Sequence, residues 1–150
     1  MLRVLLIGYG NTLRGDDALG PMAIERLRPL LLDVECLGCQ QLAPELAERL
    51  AECELAIFVD AACDGEPGLV RMERLSPKPG GIASLTHHLE AAALLELAQA
   101  LYGRVPQAVL VTGAGAVFGN REGLSEQGQQ ALSEICRLIP RLIQDSSAIR

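Results

Sequence analysis

The sequence predicts an α/β fold in which helices cover both faces of a mostly parallel sheet. Short apolar runs that end at glycine or aspartate are typical of strands buried on both faces. Amphipathic stretches separate these runs, and such alternation of strand and helix is typical of a sheet between two helical layers. No internal repeat or linker-like composition interrupts the 150 residues. Because this is the length of one ordinary domain, we expect residues 1–150 to form a single domain.

The first half of the chain contains two predicted strands and two predicted helices. The apolar run Leu2–Ile7 ends at a glycine turn and predicts the first strand. Apolar residues at helical spacing predict a helix over Met22–Leu32, and a second short strand follows over Asp33–Leu37. Pro44 then opens a helix that runs to about Ala51, because proline in the first turn gives up no hydrogen bond.

The chain from Leu55 onward contributes three strands and two helices. The segment Leu69–Arg74 alternates apolar and charged residues, which predicts an exposed edge strand. Leu94, Leu97 and Leu101 are expected on the inner face of a long helix. The remaining elements are the strand Leu55–Val59, which Asp60 ends, the helix from about Thr86 to Tyr102, the strand Gln107–Thr112, and the helix from about Ser125 to Ile143.

The charge balance argues against two classes of partner. The chain carries 13 lysines and arginines against 19 aspartates and glutamates, which gives a net charge of −6. A nucleic-acid-binding protein needs a basic face, and a polybasic membrane anchor needs clustered basic residues. No apolar run approaches the ~20 residues that span a bilayer. We therefore expect no nucleic acid and no membrane among the partners.

The five cysteines indicate a reducing compartment. Their number is odd, and the first residues lead directly into a predicted strand instead of forming a signal peptide. We therefore expect reduced thiols and a cytoplasmic location. Cys36 and Cys39 form a C-x-x-C motif, but a zinc ribbon needs a second such pair and none exists. We expect these two thiols to be structural or incidental.

Polar residues that follow the predicted strands are the candidates for a functional site. In open α/β sheets, ligands bind outside the carboxyl ends of the strands. Asp17 follows the first strand, Asp60 follows the third, and the pair His87 and His88 follows the loop after the fourth. Two carboxylates and an imidazole would form a three-ligand metal site with positions left for water or substrate.

Each of these residues also has a simpler interpretation. The pair Asp16 and Asp17 is suited to the positive end of a helix dipole, and a histidine pair at a helix start is often a cap or a surface feature. A nucleotide-binding loop is a further alternative, since Gly8 and Gly10 form a G-x-G. However, Leu13 occupies the position of the third glycine. No G-x-S-x-G motif is present, so a serine hydrolase of that type would lack its nucleophile.

The segment from Gly8 to Gly20, with the sequence GYGNTLRGDDALG, resembles the N-terminal signature of the [NiFe] hydrogenase maturation proteases. The resemblance continues through nearly the whole chain, in shorter motifs at Gln41–Leu46, Val59–Ala62, Thr86–Leu89 and Gly123–Ser125. It implies a three-layer α/β/α sandwich around a five-stranded sheet with the strand order 2-1-3-5-4, in which strand 4 is antiparallel.

The same resemblance implies an activity and a set of site residues. The family's members are endopeptidases that remove the C-terminal extension of a [NiFe] hydrogenase large-subunit precursor already loaded with nickel. The family's metal-binding acid, aspartate and histidine correspond to Asp17, Asp60 and His87, with His88 as the neighbouring alternative. Nickel would arrive with the substrate, and the resting protein would be metal-free or bind metal weakly. A non-catalytic module that senses metal or assembly through the same cleft is the alternative function.

Overall fold

The structure is a computed structural model that describes residues 2–77 and 87–149. Five strands form one sheet, and they are β1 (Val4–Tyr9), β2 (Val34–Cys39), β3 (Leu55–Ala62), β4 (Val70–Leu75) and β5 (Gln107–Ala114). A 3-10 helix spans Gly15–Ala18, and the four α-helices are α1 (Leu19–Leu27), α2 (Leu46–Glu52), α3 (His87–Tyr102) and α4 (Glu126–Ile149). None of the helices in the described residues is long and apolar enough to cross a membrane.

The strand order is β2-β1-β3-β5-β4, which confirms the predicted topology. The pairs β1–β2, β1–β3 and β3–β5 are parallel, and only the pair β4–β5 is antiparallel. β4 lies at one edge of the sheet, as predicted, and its four central residues, Arg71–Arg74, are all exposed. β2 forms the other edge. The carboxyl ends of the central strands β1 and β3 therefore lie side by side.

Two apolar layers, one on each face of the sheet, form the core. Helices α1 and α4 cover one face, where Leu19, Ile24 and Leu132 pack against β1 and β3. Helices α2 and α3 cover the other face, where Leu50 and Leu95 pack. The side chains of β1 and β3 alternate between the two layers, as expected for strands buried on both faces.

Two predictions about the chain after Leu55 are wrong in detail. Asp60 does not end its strand, because β3 continues to Ala62 by pairing with the last residues of β5. Leu101 is 61% exposed and does not belong to the inner face of α3. The inner face of α3 is formed by Ala91, Leu94, Leu95 and Ala98, which are buried in the core. The predicted helix start at Thr86 lies outside the described residues.

A close contact between two glycines sets the position of α1 on the sheet. A Cβ atom at Gly8 would collide with the carbonyl oxygen of Gly20, and a Cβ at Gly20 would lie 2.6 Å from backbone atoms of Tyr9 and Val59. Gly8 therefore serves helix packing, which supplies a structural reason for the G-x-G that otherwise resembles a nucleotide-binding loop. Because the 3-10 helix leads directly into α1, this contact also positions the residues just before α1.

We predict that Gly20→Ala lowers the free energy of unfolding by about 2 kcal/mol or more, in the range of overpacking in a close-packed interior. The new methyl group would meet backbone atoms, which move less easily than side chains. Urea denaturation followed by circular dichroism measures the change. Gly119→Ala is the matched control, since a Cβ there meets nothing within 4 Å, and it should change stability by less than about 0.5 kcal/mol. Equal stability of the two variants would show that α1 is not held by this contact.

Candidate active site

An open cleft of about 270 Å³ lies at the carboxyl ends of β1 and β3. It is where the sequence predicts a site, and it contains both predicted carboxylates, Asp17 and Asp60. The other lining residues are polar or lie on the loops after β1 and β2: Tyr9, Gly10, Asn11, Arg14, Gln40, Gln41 and Glu90. The cleft is therefore strongly polar, with three carboxylates and one guanidinium group around it.

Asp17 is held by the loop that follows β1. Its Oδ2 atom accepts a hydrogen bond of 2.7 Å from the backbone N–H of Asn11, and the Asn11 side chain accepts 2.9 Å from the N–H of Leu13. Gly10 has a φ of 148°, and a Cβ there would collide with the carbonyl oxygen of Asp17. The loop thus folds back against the 3-10 helix, and one carboxylate oxygen of Asp17 is fixed while its side chain lines the cleft.

Asp60 is a fully buried carboxylate in the middle of the sheet. Its Oδ1 atom accepts a hydrogen bond of 2.8 Å from the N–H of Ala61. Tyr9 lies at the end of the neighbouring strand, on the same face of the sheet, and its hydroxyl group is buried. Burial raises the pKa of Tyr9 above its ordinary value, and the negative charges of Asp60 and Glu90 raise it further. Tyr9 therefore stays a neutral phenol beside the carboxylate.

Asp16 has a structural role that the sequence analysis missed. It is fully buried, and its carboxylate accepts four hydrogen bonds from residues about a hundred positions further along the chain. Oδ2 accepts from the N–H groups of Ala116 (2.7 Å) and Val117 (3.1 Å) and from the Ser125 hydroxyl (2.6 Å). Oδ1 accepts from the Ser125 N–H at 2.7 Å. The carboxylate therefore joins the loop after β1 to the loop between β5 and α4.

These hydrogen bonds also keep Asp16 ionised. Burial by itself raises the pKa of the Asp16 carboxyl, but the hydrogen bonds from Ser125, Ala116 and Val117 lower it below its ordinary value. Ser125 is at the start of α4, where its hydroxyl also accepts 3.0 Å from the N–H of Gly128. The positive end of the α4 dipole thus faces the Asp16 carboxylate. The sequence suggested an interaction of Asp16 and Asp17 with the positive end of a helix dipole. Asp16 makes this interaction, with the start of α4.

The predicted histidine ligands lie only partly within the described structure. His87 and His88 are the first two residues of α3, but their side chains are outside the described part of the chain, as is Thr86. Glu90, one turn after His87, lines the cleft. Among the described residues, no three His, Cys, Asp or Glu side chains are placed to hold a metal ion together. Asp17 and Asp60 thus both line the cleft, but they do not form a metal-binding group with a third side chain among the described residues.

Cys36 and Cys39 lie on opposite faces of β2. Cys36 packs against the α1–α4 layer, and Cys39 packs against the α2–α3 layer. Residues three apart in a strand point in opposite directions, so the two thiols cannot share a metal or form a disulfide. Burial raises the pKa of both thiols, which keeps them protonated. This arrangement agrees with the expectation that the pair is structural.

Several proteins of known structure have a fold similar to that of this chain. The chain is similar to the [NiFe] hydrogenase maturation protease HycI from Thermococcus kodakarensis, with 29% identity and a TM-score of 0.76, over 95% of this chain and 93% of that one. A hydrogenase 2 maturation peptidase from a Thaumarchaeota archaeon is 25% identical, with a TM-score of 0.70, over 95% and 98% of the two chains. The hydrogenase maturating endopeptidase HybD from E. coli is 21% identical, with a TM-score of 0.76, over 97% and 94%.

The chain is similar in fold and in sequence to hydrogenase maturation proteases of known structure. No protein-family model and no curated protein sequence matches it. The similarity is therefore carried by the fold, which agrees over nearly the full length of both chains, and by the resemblance of the segment between Gly8 and Gly20. In this chain, the fold brings the loop after β1 and the exit of β3 to one cleft.

We predict that Asp16→Asn destabilises the protein by roughly 3 kcal/mol, because hydrogen bonds to a charged acceptor contribute about 1.5–3 kcal/mol each and the new amide opposes the N–H donors. The effect should depend on pH. A carboxyl whose pKa is lowered on folding adds stability above its ordinary pKa of 3.8, and this stability is lost as the pH falls through the lowered value. The difference between wild type and variant should therefore be constant near neutral pH and shrink below about pH 4.

Urea unfolding at a series of pH values measures this difference. Asp33→Asn is the matched control, because Asp33 is an exposed aspartate outside the cleft, and its stability should change by less than about 0.5 kcal/mol. An Asp16→Asn variant as stable as the control would show that Asp16 does not hold the two loops together.

Proposed function

We propose that this protein is the endopeptidase that removes the C-terminal extension of a nickel-loaded [NiFe] hydrogenase large-subunit precursor. The observation that carries the proposal is the convergence of Asp17 and Asp60 on one open cleft. The fold around this cleft is that of a protein described as a [NiFe] hydrogenase maturation protease. Five free cysteines within the described residues support a reducing, cytoplasmic location.

Nickel enters this proposal as part of the substrate. Asp17 and Asp60 would contact the nickel ion that the precursor carries, with His87 as the third group. Two carboxylates and one imidazole are suitable ligands for a divalent ion of intermediate hardness, and they include no thiolate that would retain it. A weak, open ligand set of this kind recognises a metal that is delivered and releases it again. The precursor would be cut only after its nickel has been inserted.

The two aspartates differ in a way that suits this task. The Asp60 carboxylate is buried beside the neutral Tyr9, and its position is set by the pairing of β3 with β5. Asp17 is half-buried on the loop, with Oδ2 fixed by the Asn11 N–H. One fixed carboxylate from the sheet and one from the loop would hold the metal between them. This arrangement positions the adjacent peptide bond of the precursor, and positioning is a large part of enzymatic rate enhancement.

We predict that Asp17→Asn and Asp60→Asn each reduce processing at least about 100-fold, since even changes in groups that support metal ligands often reduce metal affinity or activity 10–100-fold. Asparagine keeps the shape of aspartate and removes the charge that attracts a cation. His87→Ala should have a similar effect, because it removes the imidazole. The mass of the nickel-loaded precursor before and after incubation with each variant gives the extent of cleavage.

Three controls make this experiment decisive. His88→Ala should keep most of the activity if His87 is the ligand, and an inactive His88→Ala with an active His87→Ala would move the assignment by one residue. Far-ultraviolet circular dichroism should show the wild-type fold for every variant. If wild type binds the precursor without shortening it, the protein is a metal-sensing module and not a protease. If all three variants cut at normal rates, the assigned residues are wrong.

A further inference from the structure

A groove of about 320 Å³ lies beside the cleft, between α1 and the edge strand β2. The groove and the cleft share two lining residues, Gly10 and Gln40, and are therefore continuous. The groove also contains apolar surface from Pro21, with the buried side chain of Ile24 at its base, and the charged residues Glu25 and Arg28. A chain segment lying in this groove would thus lead directly to Asp17 and Asp60.

Gly38 forms the β2 side of this groove, and the packing of the protein does not require a glycine there. A Cβ atom at Gly38 would meet nothing closer than 3.9 Å, and its φ is not among the positive values. Glycine in a strand interior weakens the strand, and it often marks a place where a ligand or another backbone approaches closely. The missing side chain leaves room in the groove, over the side chain of Ile24.

The backbone of Gly38 faces the open edge of the sheet. The carbonyl oxygen of Cys39 accepts a hydrogen bond of 3.0 Å from Gly10, so the backbone groups of Cys39 point toward β1. Because these groups alternate along a strand, those of Gly38 and Cys36 point outward. The Arg28 side chain already donates to the Cys36 carbonyl oxygen at 3.1 Å. At the cleft end of β2, the outward-pointing backbone groups that an added strand could pair with are therefore those of Gly38.

We propose that an extended segment of the precursor, next to its cleaved bond, pairs with the edge of β2 at Gly38 and packs an apolar side chain against Pro21. This inference rests on the proposed function and adds the surface that holds the substrate. Extended peptides commonly add as a strand to an open sheet edge. Backbone hydrogen bonds then provide affinity, and pockets for the peptide's side chains provide specificity. The continuity of groove and cleft directs such a segment toward the two aspartates.

A size series at Gly38 tests this proposal. Gly38→Leu should raise the KM for the nickel-loaded precursor by about tenfold, which corresponds to one or two lost neutral hydrogen bonds, and should change kcat less than about twofold. Gly38→Ala should raise KM by a smaller factor, about threefold, because it fills less of the groove. The Tm of Gly38→Ala should be no lower than that of wild type, since alanine removes the entropic penalty of glycine in a strand.

Met72→Leu is the matched control, because Met72 is an exposed residue on the opposite edge strand, β4. It should leave KM unchanged. Wild-type KM in both Gly38 variants would overturn the groove proposal while the proposed function stands. If wild type does not shorten the precursor, the proposed function fails, and surface plasmon resonance of the precursor on wild type and Gly38→Leu still tests the groove. In that experiment, tenfold weaker binding to the variant supports the groove, and equal binding overturns it. If Gly38→Leu does not fold, the KM of Gly38→Ala decides.

Discussion

The four hydrogen bonds accepted by the Asp16 carboxylate are the interaction on which the site depends. They join the loop after β1 to the loop between β5 and α4, and they add to the backbone hydrogen bonds that Gly15 donates to Arg121 and Asp16 donates to Val117. A buried carboxylate is strongly unfavourable unless it is hydrogen-bonded, and here the donors on Ala116, Val117 and Ser125 satisfy it. Since Asp17 follows directly, its position over the cleft is a consequence of this anchoring.

The two adjacent aspartates therefore have separate functions. In the tight 3-10 helix, successive side chains point in different directions, so Asp16 turns inward to α4 while Asp17 lines the cleft. Gly128 supports this arrangement, because a Cβ at that position would collide with the Asp16 carboxylate. An acid that lines the cleft is thus combined with a structural acid one residue away. We infer that the cleft is preorganised before any substrate arrives.

The fold was predictable from the sequence to a large extent, and the site only in part. The apolar runs predicted the five strands, and the alternation over Leu69–Arg74 predicted the edge strand, but the strand order came from the family resemblance alone. The convergence of Asp17 and Asp60 followed from strand ends meeting at one edge of a parallel sheet. The role of Asp16 could not be predicted, because its donors lie about a hundred residues away. The proposed role of Gly38 could not be predicted either, because the sequence does not show whether packing or a ligand requires a glycine in a short strand.

The dependence of cleavage on nickel in the precursor tests the account most directly. Wild-type protein would be incubated with the same large-subunit precursor in nickel-loaded and nickel-free form, and the mass of each product would be measured. If Asp17 and Asp60 recognise a delivered metal, the loaded precursor loses its C-terminal extension and the empty one keeps it. Equal cleavage of both forms would contradict the account, because the two carboxylates would then have no metal to recognise.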